Sequence, residues 1–249
     1  MSFEFLAPDA ATIAEGRRPE PRSPIEWAHR DAGARLEIRA GWRVVAAYGT
    51  ARAEAAACSS SVGVADLSFL GKLELQGKPA SVAAIVAELA EGAALAPGQA
   101  TLSEGVWWCP ISARRVLAVT PPEATASVRD AVEAAAARAP EYVSVTELTT
   151  ALCSNAVVGP LAREALARTT ALDLRPRRFP EAGFAPVSVA RTPGMILRQR
   201  GDRFLHLFGA GYADYMWTVF VDAATQLGGR AVGTEALGAS VGGKAVAGA

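Results

Sequence analysis

Sulfur and imidazole are scarce in this 249-residue chain, which carries three cysteines, Cys58, Cys109 and Cys153, and two histidines, His29 and His206. No two cysteines form a CxxC pair and neither histidine has a near neighbour of its kind. That spacing argues against a zinc site, an iron–sulfur cluster or a disulfide framework. Each cysteine reads as a small buried apolar residue rather than a nucleophile. An excess of charge of either sign is lacking too, since 25 Lys and Arg balance 25 Asp and Glu. No overall field then favours a nucleic acid or an anionic membrane surface as partner. No apolar run reaches the roughly 18–20 residues that span a bilayer, and the opening MSFEFLAPDA lacks the charged and apolar blocks of a signal peptide. The chain therefore reads as soluble and cytoplasmic. Several catalytic motifs lack their context or are missing: the one GxSxG match, GASVG at 238–242, falls in a small-residue run without periodicity rather than in a strand-to-helix elbow, no GxGxxG follows a strand, and no GxxxxGK[ST] occurs. Hydrolysis by a serine elbow and nucleotide binding by a Rossmann or P-loop route are unsupported.

What the chain does have is apolar content. Hydrophobic residues make up 51% of it, enough for one large domain or two interlocked lobes. Residues 1–23, with the run EGRRPEPRSP, are too polar and proline-rich to offset the entropy of ordering and read as a flexible tail. Residues 238–249 are small and without periodicity and read the same way. The expected folded unit is 24–237.

Strands and helices alternate irregularly within it. Gly71–Gln76 places Leu73 and Leu75 between Lys72, Glu74 and Gln76, the period of a half-buried strand. Pro79 opens a helix, SVAAIVAELA, at a favoured first-turn position. Gly105–Cys109 (GVWWC) and Val116–Val119 are strand-like, and Pro121–Ala139 is a helix with Arg138 in its last turn to suit the dipole. Tyr142–Val145 and Ala151–Val158 read as strands, and Gly159-Pro160 starts the helix LAREALAR. Pro186–Ala190, Gly194–Arg198 and Phe204–Phe208 read as strands, the last two joined by a turn at Arg200-Gly201-Asp202. Tyr212–Leu227 is an amphipathic helix whose stripe, Met216, Val219, Phe220, Ala223 and Leu227, belongs to a core. Antiparallel strands interrupted by helices, without regular βαβ alternation, indicate an α+β fold.

Two segments carry a family resemblance. AGWRVVAAYG at Ala40–Gly49 resembles the Gly-Trp-x-x-x-x-x-Tyr segment of the glycine-cleavage T-protein (aminomethyltransferase) family. VGVADLSFLGKLELQG at Val62–Gly77 is similar to that family's Val-Gly-x-x-Asp-x-Ser segment, and LAPGQATL to a later stretch. VVGPLAREAL, LDLRPRRFP, VARTPGMILRQRGDRFLHLF, YADYMWTVFVDAA and GVWWCPISARRVLAV resemble in series the gamma subunit of heterotetrameric sarcosine oxidase. The resemblance implies a T-protein-like folate-binding fold: two interleaved α+β lobes of antiparallel sheet with helices, one inserted at about 49–145, enclosing a channel. The C-terminal barrel domain of full T-proteins has no counterpart in the sequence.

The same resemblance implies chemistry that the residues only partly match. T-proteins carry an Asp-Asp pair after a Gly-Gly turn, near the reacting folate amine. The matching hairpin here is SEGVWWCPISARR, in which no acid follows Gly105, so Glu104 is the candidate catalytic acid. The family's pterin-binding glutamate has Asp202 within about one position of it, on a shorter side chain. Tyr48 falls on a folate-lining tyrosine, or is a core residue with its hydroxyl at the rim. Trp107 or Trp108 could stack on a pterin, but adjacent strand residues face opposite sides, so only one can do so. Arg191, Arg198 and Arg200 could hold a carboxylate or remain solvated. Asp66 reads first as a turn or cap residue, and His206 as a satisfied structural histidine. Tetrahydrofolate is the implied cofactor. Two function classes follow: a non-catalytic, gamma-like subunit or partner in an amine-oxidising complex, or a stand-alone tetrahydrofolate-dependent enzyme acting on a small amine. The missing acids favour the first, and Trp42 with Tyr48 the second.

Overall fold

The computed structural model describes residues 20–242, so the greater part of both expected tails lies outside the described residues. Residues 20–23, expected within the first tail, run beside strand β2 (Trp42–Ala47), where the Arg43 N–H donates to the Pro21 carbonyl. Helix α1 (Glu26–Asp31) precedes a two-stranded ribbon of β1 (Arg35–Arg39) and β2. Helix α2 (Ala51–Ser60) follows, its first turn capped by the Thr50 hydroxyl, which accepts from the Ala53 N–H.

Two larger sheets make the body. The six-stranded one has the order β10-β11-β12-β9-β3-β13, built from β3 (Gly63–Asp66), β9 (Leu152–Val158), β10 (Phe184–Val189), β11 (Thr192–Arg198), β12 (Arg203–Gly209) and β13 (Arg230–Ala231). The five-stranded one has the order β5-β6-β7-β4-β8, from β4 (Gly71–Gly77), β5 (Thr101–Ser103), β6 (Val106–Ser112), β7 (Arg115–Thr120) and β8 (Val143–Glu147). All pairings in both are antiparallel except that of β13 with β3. Helices α3 (Pro79–Leu89) and α4 (Thr125–Arg138) belong to the five-stranded lobe. Helices α5 (Ala162–Ala167) and α6 (Ala213–Thr225) belong to the six-stranded one.

The period of two along each strand sorts the side chains into layers. Phe204 and Phe208 of β12 join Met216, Trp217 and Phe220 of α6, whereas Leu205 and Leu207 lie in a second cluster. On β6, Val106 and Trp108 pack with Val82, Ile85 and Val132 of the helices, whereas Trp107 and Cys109 join that same second cluster. The second cluster thus combines Leu197, Leu205 and Leu207 of one sheet with Trp107, Leu117 and Val119 of the other. The order of layers is helix, sheet, sheet, helix, with an apolar seam between the sheets.

Lys72 departs from expectation. Read as the polar side of a half-buried strand, it is fully buried, because its pleat partner on β7, Val119, belongs to the seam. Burying a Leu- or Phe-sized side chain contributes about 1.5–3 kcal/mol, so the seam outweighs the several kcal/mol that one buried ammonium costs.

Candidate functional site

The chain passes from one sheet to the other through Leu67–Leu70 and returns through Leu148–Ala151, and polar groups concentrate there. Asp66, the last residue of β3, is buried. Its Oδ1 accepts from the Ser68 N–H at 2.8 Å, the turn role expected of it. Its Oδ2 lies 3.0 Å from His29 Nε2. The two passages are laced together: the Ser154 hydroxyl donates to the Leu67 carbonyl at 2.6 Å, the Leu148 N–H to the Lys72 carbonyl at 2.7 Å, and the Lys72 N–H to Thr149 Oγ1 at 3.2 Å. Lys72 Nζ donates to the Ser68 carbonyl at 2.7 Å. Burial pulls its ammonium down to about 8, with Cys153 and Asp66 pulling weakly the other way.

A second polar chain starts at Asp66. An ionised carboxylate only accepts, so the His29 nitrogen facing Asp66 carries the proton, and in the neutral ring Nδ1 then accepts the Tyr48 O–H at 2.8 Å. Trp217 holds both rings, edge-on to His29 at 4.8 Å and stacked near-parallel on Tyr48 at 6.4 Å between centroids. Burial opposes charge on Asp66, but His29, Ser23 and Ser68 together outweigh it and hold the carboxyl below its usual range. Burial pushes the Tyr48 phenol up.

Asp66 and Asn155 are register partners, as are Asn155 and His206, so the three side chains stand in a row on the face under α6. Asn155 Nδ2 and both ring nitrogens of His206 are buried with no hydrogen-bond partner among the described residues. His206 is therefore structural but unsatisfied, contrary to expectation. It stacks on Phe208 at 4.8 Å, and burial pulls it down to about 3. His29, Lys72, Asn155 and Trp217 went unread as site residues, because their partners lie far away in sequence.

The six expected site residues are spread over the fold. Glu104 is exposed in the two-residue turn between β5 and β6. Trp107 lies in the seam. Tyr48 sits on the other side of the six-stranded sheet, against the cluster under α6. Arg191 and Arg200 are exposed at opposite ends of β11, roughly 20 Å apart along a seven-residue strand. Asp202 shares the Arg200 turn and accepts from Arg163 at 3.1 Å. Only Arg200 and Asp202 are brought together. Arg198 is buried, donating from Nη1 to the Phe179 carbonyl at 2.8 Å. Cys109 and Cys153 are buried and Cys58 is half-buried.

Two largely antiparallel sheets joined by a doubly threaded crossover, each backed by helices, define an α+β protein of T-protein-like fold. The chain belongs to the family described by the GCVT N-terminal domain, which matches residues 25–240. It is 36% identical over 78 residues to a probable aminomethyltransferase of Natronomonas pharaonis, a match covering 31% of this chain and 22% of that one. The glycine cleavage system aminomethyltransferase T of Bartonella henselae superposes with a TM-score of 0.72 at 19% identity, over 88% of this chain and 61% of that one. A chain of the heterotetrameric sarcosine oxidase of Corynebacterium sp. U-96, in complex with pyrrole 2-carboxylate, superposes with a TM-score of 0.58 at 21% identity, over 71% and 92%. This chain thus spans less than two thirds of the length of either aminomethyltransferase.

Proposed function

We propose that the protein is a non-catalytic, gamma-like subunit or partner in one-carbon amine metabolism of the sarcosine-oxidase or aminomethyltransferase type. The observation that carries this reading is the seam. The family resemblance implies a channel between the lobes and an acid pair on the β5–β6 hairpin. The side chains that β6 sends between the sheets are Trp107 and Cys109, and Glu104 stands at the exposed tip. A pterin's amino-pyrimidine edge calls for a carboxylate or comparable acceptors, and the apolar side chains of the seam do not fit it. The fold then supplies packing surface to partner chains, and the work is cytoplasmic.

A second reading, a stand-alone tetrahydrofolate-dependent aminomethyltransferase or demethylase with rewired groups, is favoured by Lys72. Burial draws this amine to about 8, within the range of a general base, on the inter-sheet side of β4. Anaerobic calorimetric titration with tetrahydrofolate, alongside folinic acid, separates the two. The expected outcome is no saturable heat at millimolar ligand, and stoichiometric micromolar binding would overturn the non-catalytic reading.

A further inference from the structure

We propose that the hollow beside Tyr48 is a binding site for a small zwitterion, a molecule carrying one ammonium and one carboxylate a few bonds apart. The hollow holds about 250 Å³ and is lined by Tyr48, Gly49, Glu54, Arg230 and Ala231. It lies at the edge of the six-stranded sheet, away from the seam, so the proposal does not depend on whether folate binds between the sheets.

Its walls are fixed before any ligand arrives. Glu54 is buried on α2. Its Oε1 accepts from the N–H groups of Tyr48 and Gly49, each at 2.7 Å, and its Oε2 accepts from the Gly233 N–H at 2.7 Å. Three backbone donors hold the carboxylate rigidly. They leave about one acceptor position over, since a carboxylate offers about four. The Tyr48 ring is pinned by its bond to His29 and by Trp217. Arg230 is anchored through its backbone, its N–H donating to the Val62 carbonyl at 3.1 Å. Its exposed guanidinium has no acidic partner among the described residues.

One fixed negative and one uncommitted positive group therefore share a small hollow with an aromatic wall. A bare carboxylate would pair with Arg230 but meet Glu54, and a bare ammonium would pair with Glu54 but meet Arg230. A ligand bearing both charges satisfies both walls, and because Glu54 and the tyrosine are already ordered, little further ordering opposes binding. Arg230 presents the planar fork that a carboxylate accepts in two bonds.

The test is a titration of the full chain followed by amide NMR, reading Gly49 and Ala231. The probes are glycine, β-alanine and γ-aminobutyrate, which step the charge separation, with acetate and methylammonium as single-charge controls. Saturable shifts are expected for at least one zwitterion, at least tenfold tighter than for either control, and weakened at least tenfold in Arg230→Gln, an exposed position whose change leaves the fold intact. Shifts that never saturate, equal binding of acetate or methylammonium, or zwitterion binding unchanged in Arg230→Gln would each overturn the proposal.

Discussion

Lys72 and His206 are two basic residues whose burial opposes their charged forms, and each sets a pH window. The unfolded chain keeps a lysine protonated to about 10.5, whereas folded Lys72 releases its proton at about 8. Between those values the folded state binds fewer protons, so stability climbs as pH rises through the window, and below about 8 the full penalty is present. In Lys72→Met, the rise in urea midpoint between pH 8 and 10.5 should disappear and the midpoint at pH 7 should be equal or higher. His206 has the same sign at lower pH. Its folded value of about 3 lies below the ordinary imidazole value of 6.5, so its contribution is intact above 6.5 and is lost as pH falls toward 3. His206→Phe should flatten the acid side of the stability profile, as read by denaturant midpoints from pH 3 to 7. The Gly194 position facing it must stay bare, since a Cβ there would come within 2.6 Å of His206 Nε2.

At the scale of elements, the β5–β6 hairpin separates a structural cost from a chemical role. Glu104 and Gly105 both have positive φ, 48° and 82°, and Ser103 pairs with Val106 across them, the geometry of a type I′ turn. Glycine bears this readily, but glutamate does so at about 1 kcal/mol. Glu104→Asn should raise the melting temperature by about 2–4 °C, a gain measurable by calorimetry. The strands of the C-terminal half were legible because alternation is local: Phe204, His206 and Phe208 against Leu205 and Leu207 announce β12 from a few residues. The helices at Pro79, Pro121 and Tyr212 were legible from prolines and apolar stripes. The polar chain was not. His29 is 37 residues from Asp66 and 19 from Tyr48, and nothing in either neighbourhood names the other. Lys72 looked solvent-facing because strand period tells which residues share a face, not what later covers that face.

For the molecule as a whole, the seam makes one folding unit of two sheets. Because Trp107, Leu117 and Val119 share their cluster with Leu197, Leu205 and Leu207, neither sheet can lose the other without exposing a large apolar face. Trp107→Ala should cost about 3–5 kcal/mol, and the loss should appear in both sheets at once: a single cooperative urea transition at a lower midpoint, by circular dichroism and by hydrogen exchange alike. The family and the α+β architecture were readable from Val62–Gly77 and its companion segments. The filling of the space between the lobes was not, since it depends on which side of β6 faces inward. Among the described residues no helix is long and apolar enough to cross a membrane.

The two passages between the sheets leave and return side by side, joined by the bonds from Leu148 to Lys72 and from Ser154 to Leu67. In topological terms the five-stranded lobe is a closed loop tied off at a knotless stem. Strands can be added to or removed from that lobe in pairs without rethreading the six-stranded sheet, while the bonds of the Ala100 N–H to the Ala182 carbonyl and of the Phe184 N–H to the Gly98 carbonyl clip the lobe's β5 edge to the other sheet a second time.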